Sequence, residues 1–298
     1  MFNRAAIEVS EVLIAGTARN VERFIRSDID CLKKSFFDFK KIHFLIIESD
    51  SSDATLKKLA QLKSEHNSFD YISLGNLSDT LTKRTERIAF CRNKVIDVLL
   101  SNPHYSQVSY VAVADLDSVN AKLTREGIRS CWDAAVDWGA MKANQTDEYY
   151  DIWALRHDYW NADDCWLQRK ELERFTSPLF AENLSILSKK IHISPITPPI
   201  EVDSAFGGLA IYKRDAFVSS RYVGLREDGS EICEHVPFHR QMKENGFSLF
   251  INPRMINCTS VESGLISTIC IKCIRKIGVG IFGRERFNKY ISLLKDIH

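Results

Sequence analysis

This 298-residue sequence lacks any apolar run near the roughly 18 residues needed to cross a bilayer. Its first residues, MFNRAAIEVSEVL, place Glu8 and Glu11 where a secretory leader needs an uninterrupted apolar core. The expectation is a cytoplasmic chain, on which the Asn-x-Ser/Thr sequons at Asn76, Asn144, Asn183 and Asn257 are chance matches. An excess of charge is also missing: 40 Lys and Arg stand against 39 Asp and Glu. With no global field and no recognisable module, nucleic acid is not an expected partner. A hydrophobic share of 45% excludes a disordered chain, and the length suits one large or two modest domains.

Several motifs lack the context that would give them meaning. The eight cysteines are scattered through apolar segments, as Cys31, Cys91, Cys131 and Cys258 are, which predicts buried free thiols rather than disulfides. Cys270 and Cys273 form a CxxC without the second ligand pair a zinc site requires. Gly278, Gly280 and Gly283 spell GxGxxG, but only 15 residues follow, too few for a dinucleotide-binding unit. His235 and His239 stand four apart, but Pro237 between them speaks against a helical metal pair.

What is present is an alternation of strand and helix signals. Apolar runs at 11–16, 41–48, 70–75 and 109–117 read as strands. Helical spacing over 19–36, 54–63 and 82–100 separates them. The pattern predicts an α/β fold with a mostly parallel sheet flanked by helices. Ligands bind such sheets beyond the carboxyl ends of the strands. From about 145 aromatics crowd together, and strand-like stretches recur at 207–212 and 247–252. This half reads as a continuation of the same sheet with long functional loops.

Val111-Ala112-Val113-Ala114-Asp115-Leu116-Asp117 carries the strongest chemical signal. Alternation puts Asp115 and Asp117 on one side, where two like charges repel unless a cation sits between them. Mn2+ or Mg2+, sharing its shell with substrate phosphates, meets that need. A solvated turn is the plain alternative. At the end of the second strand, Glu48 and Asp50 could accept hydrogen bonds from a ribose or base, while Ser52 or Asp53 caps the next helix. Arg84, Arg87 and Arg92 on the third helix offer forks suited to diphosphate oxygens, Arg92 first because it flanks the buried face. Surface salt bridging competes with that role.

The stretch Tyr150-Asp151-Ile152-Trp153-Ala154-Leu155-Arg156-His157-Asp158 has the composition of a sugar-binding cleft, and equally that of an aromatic core cluster. Glu234 beside His235 could act as general base or orient an acceptor hydroxyl; a capping or buried pair is the alternative.

In order and spacing these motifs resemble a GT-A glycosyltransferase, a Rossmann-like α/β fold. More closely, the chain is similar to the fungal capsule-associated α-1,3-mannosyltransferase family. The matching stretches are ESDSSDATLKKL (48–59), RIAFCRNKVIDVL (87–99), YYDIWALRHD (149–158), EVDSAFGGLAIYKRDAF (201–217) and CEHVPFHRQMKENG (233–246). Fungal members tend to have Asn-Asp at the metal site and an N-terminal membrane anchor, where this chain has Asp115-Leu116-Asp117 and is expected to lack the anchor.

The resemblance implies a domain over 1–260, with a nucleotide-sugar half to about 145 and an acceptor half from 146. It implies a nucleotide-sugar donor, GDP-mannose or a UDP-sugar, and a glycan or lipid-linked glycan acceptor. Thr17, Arg19, Glu48, Asp50 and Arg92 would serve the donor. Asp115 and Asp117 would hold the metal, Asp117 directly. Gly207 and Gly208 would let the backbone approach the donor sugar. Asp151, Trp153, Arg156 and Asp158 would meet the acceptor. Glu234 is the first choice of catalytic residue, with Asp203 second and His235 beside it. Retention of anomeric configuration is the implied outcome. A sugar nucleotidyltransferase is a rival, though AGTARN poorly matches its Gly-rich basic loop; a non-catalytic carbohydrate binder on a degenerate transferase fold is another.

The tail, 261–298, has a separate character. Residues 265–298 hold seven Lys/Arg and two acids, net +5, with Ile266, Ile269, Cys270, Cys273, Ile274 and Ile277 in a helical stripe. A basic amphipathic helix of this kind suits an anionic membrane surface; packing back on the domain is the alternative.

Overall fold

A computed structural model describes residues 5–259, which belong to one unit of the chain. The expected tail helix, its CxxC and the 278–283 glycines lie outside the described residues.

Eight strands form one sheet: β1 (Glu11–Ala18), β2 (Lys41–Glu48), β3 (Phe69–Ser73), β4 (Val108–Ala114), β5 (Ala140–Gln145), β6 (Ile200–Glu201), β7 (Leu209–Lys213) and β8 (Leu249–Cys258). Their spatial order is β3-β2-β1-β4-β7-β5-β8-β6. Pairings are parallel among β3, β2, β1 and β4, and again between β5 and β8. Antiparallel β7 joins the two blocks, and antiparallel β6 closes the far edge. The mostly parallel α/β sheet expected from the sequence is therefore present, and it runs without a break past residue 145.

Helices lie on both faces. They are α1 (Ala5–Glu8), α2 (Ile25–Ser35), α3 (Thr55–Glu65), α4 (Arg84–Ser101), α5 (Arg125–Asp133), α6 (Cys165–Leu172), α7 (Pro178–Ser185), α8 (Arg214–Val218) and α9 (His235–Glu244). Strand alternation divides the core in two. Leu13, Ala15, Leu45, Ile47, Val111 and Val113 pack with α4, α8 and α9. Val12, Ile14, Phe44, Ile46 and Ala112 pack with α2, α3 and α5. Burial on both faces is why these strands read as continuous apolar runs.

The structure corrects the reading of Pro237. Both His235 and His239 lie in α9, because Pro237 sits in its first turn, where the missing N–H would have had no helical partner. They form no metal pair: His239 bonds Ser204 Oγ and Tyr212 Oη, both at 2.9 Å. No group of three or more His, Cys, Asp or Glu among the described residues is arranged to hold a metal by itself.

The expectation for cysteine fits: Cys91, Cys131, Cys165, Cys233 and Cys258 are buried and free, and Cys31 is half-buried and free. Asn144, Asn183 and Asn257 are buried as well, so three of the four sequons are inaccessible. Among the described residues no helix is long and apolar enough to cross a membrane.

Candidate functional site

Sheet order determines where the site falls. From β1 the chain builds outward through β2 to β3, then returns to the other side of β1 as β4. The reversal opens a crevice beyond the carboxyl ends of β1 and β4. A cleft of about 420 Å³ occupies that place. Its lining runs from Ser49 and Asp50 after β2, through Thr17 and Arg19 after β1, to Asp115 and Asp117 after β4. Asp151, Trp153, Phe206 and Glu234 complete it. Elements separated by up to 217 positions (Thr17 to Glu234) thus share one cavity.

Alternation persists past β4. Leu116 is buried in the core, while Asp115 and the exposed Asp117 face the cleft. Asp115 leaves 37% of its side chain open and accepts from Arg92 Nη2 at 3.3 Å. Desolvation at the cleft floor, with Asp117, Asp151 and Glu234 nearby, pushes its carboxyl up to about 7 against the pull of Arg92. An oxygen-rich, acid-crowded position of this kind fits a hard divalent cation, which would lower that pKa. Two carboxylates would supply only part of such a cation's shell.

Arg92 is the electrostatic hub. Its side chain is buried, and Nη1 donates to Glu234 Oε1 and to His235 Nε2. Phe206 and Tyr222 lie under the guanidinium, with ring centres 5.0 and 5.6 Å away. The sequence suggested Arg92 for a diphosphate; here its Nη donors are taken by Glu234, His235 and Asp115, and its buried Nε has no hydrogen-bond partner. Arg87 is likewise engaged, by the carbonyls of Leu81 and Thr82 at 2.7 and 2.9 Å. Arg19 and Arg84 line the same cleft, exposed and without an ion pair among the described residues.

His235 is not placed to act as a base. An arginine can only donate, so Nε2 is the accepting nitrogen, and the proton is on Nδ1. Burial and the neighbouring Arg92 also drive its pKa well below the ordinary histidine range. The ring stacks on Phe206 at 3.9 Å between centres and fixes Arg92 in place.

Other expected residues separate into two groups. Asp50 lines the cleft; Oδ1 accepts from Ser78 N at 2.8 Å, and buried Oδ2 has no hydrogen-bond partner but is ion-paired with Arg87 Nε at 3.7 Å. Asp151 faces the cleft while accepting from Gly207 N at 2.9 Å and Ala154 N at 3.3 Å. Trp153 lines the cleft with Nε1 tied to Asp164 Oδ2 at 3.3 Å.

Six expected residues do not line it. Glu48 is buried and accepts from Ser51 N at 3.1 Å and from Ser73 Oγ, bracing the loops after β2 and β3. Arg156 donates to the carbonyls of Trp153 and Leu155 and to Asp164. Exposed Asp158 sits in a turn, and Asp203 is paired with Lys243. Gly208 has φ +86°, and a Cβ there would meet Val119 Cγ1 at 2.7 Å. With Gly207 (φ +70°), it faces protein atoms rather than open cleft, so the glycines serve the turn itself.

Sequence reasoning missed Phe206, Tyr222 and the buried amides Asn120 and Asn257. None was marked by a recognisable site motif: Phe206 stood in the matched stretch 201–217 without a role, and Asn257, next to the last residue of β8, was visible only as a sequon.

No protein-family model matches the chain, and no curated protein does. Among solved structures, it is similar to the mannosyltransferase PcManGT from Pyrobaculum calidifontis in complex with GDP-Man and Mn2+. That match has 13% identity and a TM-score of 0.46, over 87% of this chain and 59% of that one. S. aureus TarS 1-349 in complex with UDP-GlcNAc gives 12% identity and a TM-score of 0.46, over 87% of this chain and 61% of that one. The chain thus spans about three fifths of the length of these structures.

Proposed function

We propose that this chain is a metal-dependent glycosyltransferase of the GT-A kind, moving a sugar from a nucleotide sugar to a glycan or lipid-linked glycan. One observation carries the reading: Asp115 and Asp117 share a switch-point cleft with the buried carboxylate Glu234, and Arg92 bridges Asp115 to Glu234. Fold alone would not fix chemistry; this constellation of acids supports it.

In this reading Asp115 and Asp117 would hold Mn2+ or Mg2+, which would supply Lewis-acid stabilisation to a nucleoside diphosphate leaving group. Arg19 and Arg84 bind diphosphate oxygens in place of Arg92. Asp50 Oδ2 accepts from the nucleoside. Trp153 offers an apolar face to a sugar ring, and Asp151 borders it. Glu234 either takes the proton from the acceptor hydroxyl or orients that hydroxyl, and Arg92 with His235 holds it in place. GDP-mannose remains the family-based choice of donor, and mannose transfer the finer proposal.

The test is turnover. Wild type, incubated with a panel of nucleotide sugars and Mn2+, should release a nucleoside diphosphate from one of them. Glu234→Gln should slow that release by about 10²-fold or more. Release from none of the panel, with or without glycan acceptors, would refute the transferase reading.

A further inference from the structure

Beneath the turn that carries Asp115 and Asp117 lie three side-chain amides, Asn120, Gln145 and Asn257, each 0% exposed. Asn120 Nδ2 donates to Asp115 O at 2.9 Å and Gly208 O at 3.2 Å. Its Oδ1 accepts from Asn257 Nδ2 at 3.0 Å, and that same nitrogen donates to Gly207 O at 2.7 Å. Gln145 Nε2 closes the set, donating to Asn257 Oδ1 at 3.1 Å and Gly207 O at 3.3 Å. Gln145 Oε1 accepts from Tyr150 N at 3.4 Å.

Backbone carbonyls can only accept, so the direction of every amide is determined. Each amide nitrogen and oxygen has a partner. A buried network so satisfied specifies one arrangement, whereas a partly satisfied one is costly. The network gathers the turn after β4, the end of β5, the Gly207–Gly208 bend before β7 and the end of β8. Two further bonds reach the same turn. Asp115 N donates to Gly208 O at 2.9 Å. Ser118 N, at φ +72°, donates to Asp28 Oδ2 at 3.0 Å.

We infer that Asn120 and Asn257 are positioning residues that preset the Asp115–Asp117 turn for a divalent cation before any ligand arrives. This rests on the metal reading of the same site. Neither residue touches the ligand. Their work is to hold two mutually repelling carboxylates on one turn at the cleft, a cost met during folding. Outer partners of this kind typically govern 10–100-fold of metal affinity.

The experiment titrates the full-length protein with Mn2+, reading free Mn2+ by electron paramagnetic resonance, alone and with saturating GDP or UDP. The variants are Asn120→Leu and Asn257→Leu, with the milder Asn257→Ser for use if either leucine variant fails to fold. Asn252→Leu is the control. Asn252 is another buried amide of β8, whose Nδ2 donates to Ser130 Oγ at 2.8 Å, away from the turn.

Tenfold or greater weakening in the Asn120 and Asn257 variants, with wild-type affinity in Asn252→Leu at a comparable loss of Tm, supports the inference. Hydrogen exchange over 115–122 in the metal-free Asn257 variants should quicken in parallel. Wild-type Mn2+ affinity in those variants, or equal weakening in Asn252→Leu, overturns it while leaving the metal reading intact. A wild type that binds no Mn2+ under any of these conditions overturns both.

Discussion

Replacing Arg92 with methionine removes the cation that Glu234, His235 and Asp115 share. Asp115 keeps 37% of its side chain open to solvent, so at 3.3 Å its loss of partner adds little. Glu234 is different. Its side chain is only 7% exposed, and the Arg92 beside it is 8% exposed. Breaking a buried pair by removing one member typically costs about 3–5 kcal/mol, because the other charge is left without compensation. Loss of the contacts with Phe206 and Tyr222 adds on the order of 1 kcal/mol.

For a domain of this size about 4 kcal/mol corresponds to roughly 8–16 °C in Tm. Urea denaturation of the full-length protein should therefore show Arg92→Met well below wild type. Arg92→Met/Glu234→Gln should recover at least half of the loss, since the orphaned charge is gone. An Arg92→Met variant within about 1 kcal/mol of wild type, or a double variant whose loss is the sum of the two singles, would refute the hub account.

Other perturbations follow from the same geometry. Gly208→Ala places a Cβ 2.7 Å from Val119 Cγ1 on backbone at φ +86°, and should cost about 2–4 kcal/mol in denaturant unfolding. Lys142 on β5 is fully buried with no hydrogen-bond partner, and burial drives its amine well below the ordinary lysine pKa. The unfolded chain binds that proton below about pH 10.4 while the folded chain does not, so Lys142 weakens the fold increasingly as pH falls from 10.4 toward the folded pKa. Lys142→Met should then raise stability at pH 7 by about 1–3 kcal/mol and flatten its rise between pH 7 and 10; equal stability at pH 7 would contradict this.

The first half of the fold was legible because its strands are buried on both faces. β2 matches the expected 41–48 run residue for residue, and α4 differs by two positions at its start and one at its end. β5 was not legible: Lys142, Asn144 and Gln145 are buried polar residues that break the apolar pattern. The antiparallel sense of β7 leaves no mark in GGLAIY, because an inserted central strand is as apolar as a parallel one. In the site, Asp50, Asp115 and Asp117 follow apolar strands directly, and strand ends can be read from sequence. Arg156, Asp158 and Asp203 belong to loops whose direction depends on long-range partners such as Ser204 and Lys243. Arg92 was legible as a candidate, but its pairing with Glu234, 142 positions away, was not.

The proposed function puts a metal-assisted nucleotide site at the Asp115–Asp117 turn. Asp117 is exposed, and the hydrogen bond it accepts is from Val119 N at 3.3 Å, so Asp117→Ala should leave stability within about 0.5 kcal/mol. Calorimetry of wild type and Asp117→Ala against nucleoside diphosphates and nucleotide sugars, with and without Mn2+, tests it most directly. The account predicts Mn2+-dependent binding of one nucleotide to wild type, weakened at least tenfold in the variant. Binding indifferent to Mn2+ and to Asp117, or no binding to any nucleotide, would contradict it.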